Sequence, residues 1–159
     1  MAVTHLPKIV MPQSDRSRLD RLARVAIEQG DFDAHFLLDE INRSKVVPED
    51  DAELDRIVTM GSWVTYWTNW GFPRETRQLV WPDDYRSGAM QISVLSPVGA
   101  ALIGLRVGAQ MPFFAAGCIN VVRIASVDSV LSNVVSLFDP HGGVSNGDPF
   151  DDDPGPRAA

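Results

Sequence analysis

The sequence predicts an α+β protein, with a short antiparallel helical hairpin followed by a mostly antiparallel β-sheet that packs one helix. Apolar residues in the first third recur every three or four positions, which is the period of an amphipathic helix. From Ile57 to Val127 that period gives way to short β-type runs separated by Gly, Pro and Asn. Residues 139–159 are rich in Gly, Asp and Pro and have no apolar period, which predicts a disordered acidic tail.

The first helix is predicted over residues 14–29, with Ser14 as its N-cap and Gly30 just past its end. Its outer face carries charges of alternating sign four residues apart, a spacing that favours ion pairs along a helix. These charges are Arg16, Asp20, Arg24 and Glu28.

The second helix follows a four-residue loop that contains Asp31, Phe32 and Asp33. Either aspartate can cap it, and Val47-Pro48 should end it, because the residue before a proline is disfavoured in a helix. Asp39 and Arg43 are expected to pair. A loop this short requires the two helices to run antiparallel, so Asp31, Phe32 and Asp33 form the tip of a hairpin.

The sheet is built from five predicted strands, joined by loops and by one short helix. The strands are Ser62–Thr68, Thr76–Trp81, Gln91–Leu95, Gln110–Phe114 and Ile119–Ala125. The segment 69–73 has the composition of a turn between the first two. The short helix covers Ser96 to Gly104, with Ser96 as its N-cap and Pro97 at its first position.

The composition divides the chain into four parts. Residues 1–47 are the amino-terminal segment with the hairpin, 48–56 an acidic connector, 57–127 the sheet domain, and 128–159 a docking segment with the acidic tail. The net charge of −7 is unevenly spread, since residues 128–159 contribute −5 of it. The body is therefore nearly neutral, and without a dense cationic patch it is not expected to bind nucleic acid directly.

No motif of an enzyme is present in the sequence. The three histidines, His5, His35 and His141, lie in different segments without metal-ligand spacing, and no phosphate-binding glycine fingerprint occurs. The single cysteine, Cys118, is expected to be a buried structural thiol. We therefore predict no catalytic residue, no metal and no cofactor. With neither a signal peptide nor a membrane-spanning run, the protein is expected to be cytoplasmic.

The run from Gln91 to Gly108 resembles the signature of the carboxy-terminal domain of the GreA/GreB transcript-cleavage factors. Its core reads Ser-Pro-x-Gly-x-Ala-Leu and then Gly-x-x-Val-Gly. The short hairpin, the run from Leu37 to Ser44 and the run from Ile57 to Val64 are more similar to the regulators of nucleoside diphosphate kinase (Rnk), which are short-hairpin relatives. Ala109 departs from the Gly-Asp that usually follows the signature.

This resemblance implies an FKBP-like carboxy-terminal domain and a role in transcription regulation. It implies binding to RNA polymerase at the rim of the secondary channel, as a monomer, with Ser96, Pro97 and Val98 facing the polymerase. The cleavage factors carry acidic residues at a long hairpin tip, in an Asp-x-x-Glu pattern that Asp31 and Asp33 do not reproduce. The expected function is therefore competition with those factors without stimulation of cleavage.

Two alternatives remain open at this level. An FKBP-like fold is compatible with a peptidyl-prolyl isomerase, although a fold by itself does not determine function. The same domain can also serve as an adaptor for a partner other than polymerase.

Overall fold

The computed structural model describes residues 5–69 and 74–128, and the fold follows the predicted α+β class. Three α-helices form in these residues: α1 (Gln13–Glu28), α2 (Ala34–Arg43) and α3 (Pro97–Leu102). Two 3-10 helices cover Ala52–Arg56 and Pro82–Asp84. The predicted turn residues 70–73 and the docking segment and tail from residue 129 onward lie outside the described residues. No helix of the described part is long and apolar enough to cross a membrane.

The strands form two sheets. A small parallel pair joins β1 (Val10–Pro12) to β2 (Lys45–Val47). The main sheet has the order β5-β4-β3-β7-β6. Its strands are β3 (Trp63–Thr68), β4 (Glu75–Val80), β5 (Gln91–Ser93), β6 (Gln110–Ala115) and β7 (Cys118–Asp128).

The main sheet is mostly antiparallel, as predicted, but one of its pairs is parallel. Strands β3, β4, β6 and β7 pair antiparallel, but β5 pairs parallel to β4. The connection between them, residues 81–90, contains the 3-10 helix Pro82–Asp84 and is long enough to return the chain to the same end of the sheet. A tight hairpin between β4 and β5 would have given the antiparallel pairing instead.

The second helix ends at Arg43, four residues earlier than predicted. The Ser44 hydroxyl donates a hydrogen bond to the Ile41 carbonyl at 2.6 Å, and the Lys45 N–H donates to the Ile9 carbonyl at 2.8 Å. The chain from Lys45 to Val47 therefore forms strand β2 instead of a further helical turn. Its pairing with β1 brings the two ends of the helical hairpin together.

Several local contacts of the helices also differ from the prediction. Helix α1 begins at Gln13, so Ser14 is not the N-cap; its N–H donates to Glu49 Oε1 at 2.8 Å, which satisfies a free amide of the first turn. Arg43 pairs with Glu40, because Glu40 is buried beside it and Asp39 faces solvent. Of the predicted ladder on α1, only Asp20 and Arg24 form an ion pair, at 2.8 Å.

One hydrophobic core joins the hairpin to the sheet. Leu19 of α1 and Leu37 and Ile41 of α2 belong to the same buried cluster as Tyr66 of β3 and Leu102 of α3. Arg43 also crosses this junction, since its Nη1 donates to the Pro7 carbonyl at 2.5 Å and its Nη2 lies 3.9 Å from the Met111 sulfur. The hairpin is therefore packed against the domain along its length.

Gly104 lies where the amino-terminal strand meets the sheet domain. Its carbonyl accepts the Val10 N–H at 3.0 Å, and its own N–H donates to the Val58 carbonyl at 2.8 Å. A Cβ atom at this position would lie 2.2 Å from Ile9 Cγ2, and the φ angle of +77° is one that side chains other than glycine rarely adopt. The signature glycine is thus required by the close contact between two segments of backbone.

Gly104→Ala is expected to destabilise the protein more than Gly108→Ala, which is a matched control. Both positions have a positive φ, +77° and +85°, but a Cβ at Gly108 would meet no atom within 4 Å. Backbone strain should cost about 1–2 kcal/mol in both variants, and the clash with Ile9 a further ~1–3 kcal/mol only in the first. Urea unfolding of both variants measures the difference; equal losses would contradict the role assigned to the Ile9 contact.

Candidate functional site

The three residues predicted to bind a partner lie at the start of α3, and each is half-buried. Ser96, Pro97 and Val98 line a groove of about 330 Å³. Its other walls include Arg77 of β4 and Tyr85 from the connection that follows. The groove is concave and combines apolar surface with one guanidinium and one phenol, which suits recognition of a protein segment.

The tip of the hairpin presents one aromatic side chain to solvent. The Phe32 side chain is 82% exposed, and its ring stacks on His35 with a centroid separation of 6.5 Å. Asp31 Oδ1 accepts the Asp33 N–H at 3.0 Å, which closes the turn. Neither aspartate caps α2 through its side chain, contrary to the prediction: Asp33 occupies the N-cap position in a helical conformation and makes no such bond.

A small cleft joins the hairpin tip to the start of α3. Its volume is about 100 Å³, and it is lined by Phe32, Asp33, Phe36, Pro97, Phe113 and Phe114. Pro97 therefore borders this cleft and the larger groove. The structure brings the two sets of site residues predicted from the sequence onto one surface, which we call the tip-groove surface. It comprises Phe32, Asp33, Phe114, Tyr85 and Ser96–Val98.

The sequence analysis missed Phe114 and Tyr85 as parts of this surface. Phe114 is 64% exposed and Tyr85 43%. For Phe114 a signal was available, because neighbouring residues of a strand point to opposite faces and Phe113 and Phe114 cannot both be buried in one core. Tyr85 lies in an irregular connection, where no periodicity indicates which side chains are exposed.

The Ser96 hydroxyl is used inside the protein. It donates to the Ser93 carbonyl at 2.6 Å and accepts the Gly99 N–H at 3.1 Å, which is an N-cap bond of α3. Gly99 packs so closely that a Cβ there would lie 2.0 Å from the Ser93 carbonyl oxygen. The Ser-Pro-x-Gly motif therefore positions α3, and Pro97 and Val98 are the members of the trio with free side-chain surface.

Arg77, which lines the groove, is positioned by a polar network that begins at the buried Tyr66. The buried Tyr66 hydroxyl donates to Glu75 Oε2 at 3.0 Å, and Arg77 Nη2 lies 3.3 Å from the same oxygen. Burial raises the pKa of Tyr66 well above its usual range, and the Glu75 carboxylate adds to this effect. Tyr66 therefore remains a neutral hydrogen-bond donor, and Glu75 holds Arg77 beside the groove.

No described set of three or more His, Cys, Asp or Glu side chains is arranged to hold a metal ion. Cys118 is exposed, and the prediction of a buried thiol is wrong. The residue lies at the start of β7, directly after the Ala116-Gly117 turn, where the chain leaves the core. Its Sγ lies 3.5 Å from the Ala115 carbonyl oxygen within that turn.

Ser96→Ala is expected to lower the free energy of unfolding by about 1–2 kcal/mol, because the N-cap bond and the bond to Ser93 are both lost. Ser87→Ala is the control, since Ser87 is exposed and its hydroxyl makes no hydrogen bond within the described residues. Denaturant unfolding of the two variants is the measurement. Unchanged stability of the Ser96 variant would mean that the hydroxyl has a role other than capping.

Comparison with known proteins identifies the family of this fold. A family model described as the carboxy-terminal domain of the GreA/GreB transcription elongation factors matches residues 53–129. The regulator of nucleoside diphosphate kinase of Escherichia coli K12 is 34% identical over 102 residues, which is 64% of this chain and 74% of that protein. The protein of the same name from Shigella flexneri gives the same values.

A solved structure of a GreA/GreB factor is also similar to this chain. The GreA/GreB transcription elongation factor of Nitrosomonas europaea superposes with a TM-score of 0.61 at 30% identity, covering 76% of this chain and 99% of that one. The match thus includes residues beyond the sheet domain that the family model covers. The chain therefore belongs to the family of the GreA/GreB transcription elongation factors and the regulators of nucleoside diphosphate kinase.

Proposed function

We propose that this protein binds bacterial RNA polymerase at the rim of the secondary channel and regulates transcription without catalytic chemistry of its own. The observation that carries the proposal is the tip-groove surface, which unites the hairpin tip with the start of α3. Membership of a transcription elongation factor family supports the choice of polymerase as the partner.

The exposed groups of this surface suit a protein partner. Phe32 and Phe114 are both more than half exposed and line the cleft together with Pro97. Arg77 and Tyr85 supply polar groups at the neighbouring groove. Aromatic and arginine side chains contribute most of the energy in many protein interfaces. A partner segment with apolar side chains can fill the cleft, while its polar groups meet the groove.

The geometry of the hairpin argues against a cleavage role. The 16 residues of α1 rise about 24 Å, and the tip residues line the same cleft as Pro97 and Phe113. The tip thus ends beside the domain instead of projecting far beyond it. Asp31 is engaged in the turn itself, which leaves Asp33 as the only other tip carboxylate. We infer that the protein occupies the polymerase in place of a long-hairpin cleavage factor.

Binding to RNA polymerase core is expected at micromolar concentration or tighter, and a long-hairpin cleavage factor should displace the protein. Titration of labelled protein with core polymerase measures the affinity, and unlabelled cleavage factor supplies the competition. Stalled elongation complexes should show no added transcript cleavage in the presence of the protein. Absence of binding at micromolar concentration, or stimulated cleavage, would contradict the proposal.

Phe32→Ala and Pro97→Ala should each weaken polymerase binding by about tenfold, a loss of ~1.4 kcal/mol in binding free energy. Each removes apolar contact area from the cleft, one at the hairpin tip and one at the start of α3. Val25→Ala is the matched control, because Val25 is an exposed apolar residue of α1 that is 44% accessible and does not line the cleft.

The control variant should bind as the unmodified protein does. If only Pro97→Ala weakened binding, the hairpin tip would have no part in the interface. If all three variants bound equally well, the tip-groove surface would not be the polymerase-binding surface. Circular dichroism and thermal unfolding of each variant separate lost contacts from lost folding.

A further inference from the structure

The outer face of the sheet carries an arginine-aromatic cluster that borders the tip-groove surface where Ile119 of β7 pairs with Phe114 of β6. The Arg74 guanidinium carbon lies 5.1 Å from the Trp67 ring centroid, and that of Arg123 lies 5.7 Å from it. Trp67 is directly opposite Arg123 in the pairing of β3 with β7, and Gln110 is opposite Arg123 on the other side. Trp67, Arg123 and Gln110 therefore lie on the neighbouring strands β3, β7 and β6, and Arg74 directly precedes β4.

A cleft of about 350 Å³ opens beside this cluster. It is lined by Trp67, Asn69, Gln110, Ile119, Val121 and Arg123. Ile119 is 76% exposed, so the cleft offers apolar surface to solvent next to a guanidinium group. A ligand with an aromatic ring and adjacent negative charge would match both features.

Charge is distributed so that this face attracts anions. Among the described residues, Arg74 and Arg123 take part in no ion pair, whereas Arg43, Arg77 and Arg106 each have a carboxylate partner. The densest run of described acidic residues is the connector, 48–56. An acidic segment that reaches the outer face therefore meets two guanidinium groups that no described carboxylate pairs with, although the Gln110 side-chain amide lies against that of Arg123.

The chain itself contains such a segment. Residues 149–153 read Pro-Phe-Asp-Asp-Asp, with one aromatic ring directly before three carboxylates. Strand β7 carries Arg123 and ends at Asp128, which lies about 16 Å along the strand from Arg123 and directly precedes the segment 129–159. The residues between Asp128 and Asp151 can span roughly 70 Å when extended, which is several times the distance required.

We propose that residues 149–153 dock on the outer sheet face of the same molecule, with Phe150 in the cleft beside Trp67 and Asp151–Asp153 paired with Arg74 and Arg123. The proposal does not depend on polymerase binding, because no residue lining this cleft lines the cleft at the hairpin tip, although Ile119 is the cross-strand neighbour of Phe114. Docking covers the exposed Ile119 side chain. It also supplies carboxylates to Arg74 and Arg123, which among the described residues are the only two arginines that lie over the same tryptophan ring.

Weak contacts are sufficient for docking, because residues 149–153 are covalently connected to the sheet domain. Exposed ion pairs are each worth little, about 0.2–1 kcal/mol, and they weaken as salt rises. A tethered segment, however, has an effective concentration on the order of millimolar at its own site. The docked state is therefore expected to be populated at low salt and released at high salt, so that the face becomes available to another anionic partner.

Nuclear magnetic resonance of the full chain tests this directly. At about 50 mM salt, nuclear Overhauser contacts are expected between the Phe150 ring and the methyl groups of Ile119 or Val121, and they should be lost at about 500 mM salt. Phe150→Ala, and the combined change Asp151→Asn, Asp152→Asn and Asp153→Asn, should each shift the Trp67 indole N–H signal. The control Asp83→Asn with Asp84→Asn removes two acids elsewhere and should leave that signal unchanged.

Three results would overturn the proposal. One is the absence of these contacts together with an unchanged Trp67 signal in both carboxy-terminal variants. Another is that the nuclear Overhauser contacts appear only between differently labelled molecules in a mixed sample, because the segment in the cleft would then come from a second molecule. The third is a shift of the Trp67 indole N–H signal by single-stranded RNA that is equally large in the unmodified protein and in the variant with Asn at residues 151–153. Tighter RNA binding by the Asn variant alone would support intramolecular docking.

Discussion

The contact of the amino-terminal strand with Gly104 is the constraint on which the arrangement of this protein depends. Gly104 bonds to Val10 on one side and to Val58 on the other, while Ile9 packs against the space that a side chain would fill. Because Ile9 also accepts the N–H of Lys45, the base of the helical hairpin is held on the sheet domain from both of its ends. Helix α2 then lies against α3, and the core closes between them. With helices of 16 and 10 residues, a hairpin attached in this way ends beside the start of α3.

That geometry makes the tip of a short hairpin part of the same surface as the start of α3. In a factor whose hairpin projects far from the domain, the tip and the domain act at separate places. Here Phe32 and Pro97 line one cleft, so that tip and domain form a single surface, which is the one proposed to bind the partner. The outer face of the main sheet has a different chemistry, because Arg74 and Arg123 lie against the Trp67 ring there.

The elements that the sequence predicted well are those with strong local signals. Helical periodicity located α1 and most of α2, and the Ser-Pro-x-Gly motif located the start of α3, because a cap and a close backbone contact need those residue types. The elements it missed depend on contacts between distant residues. Strands β1 and β2 are three residues each, too short for any period, and exist because they pair with each other. The parallel position of β5, the Glu40–Arg43 pair and the exposure of Cys118 likewise follow from how the chain packs.

The central claim, that the hairpin tip and the start of α3 form one binding surface, is tested most directly by hydrogen–deuterium exchange of the protein in complex with RNA polymerase core. The account predicts that segments containing Phe32, Pro97 and Phe114 are protected together on binding, while the exposed face of α1 around Val25 exchanges as in the free protein. Protection confined to the acidic connector 48–56 or to the outer sheet face, with the tip and α3 unchanged, would contradict it.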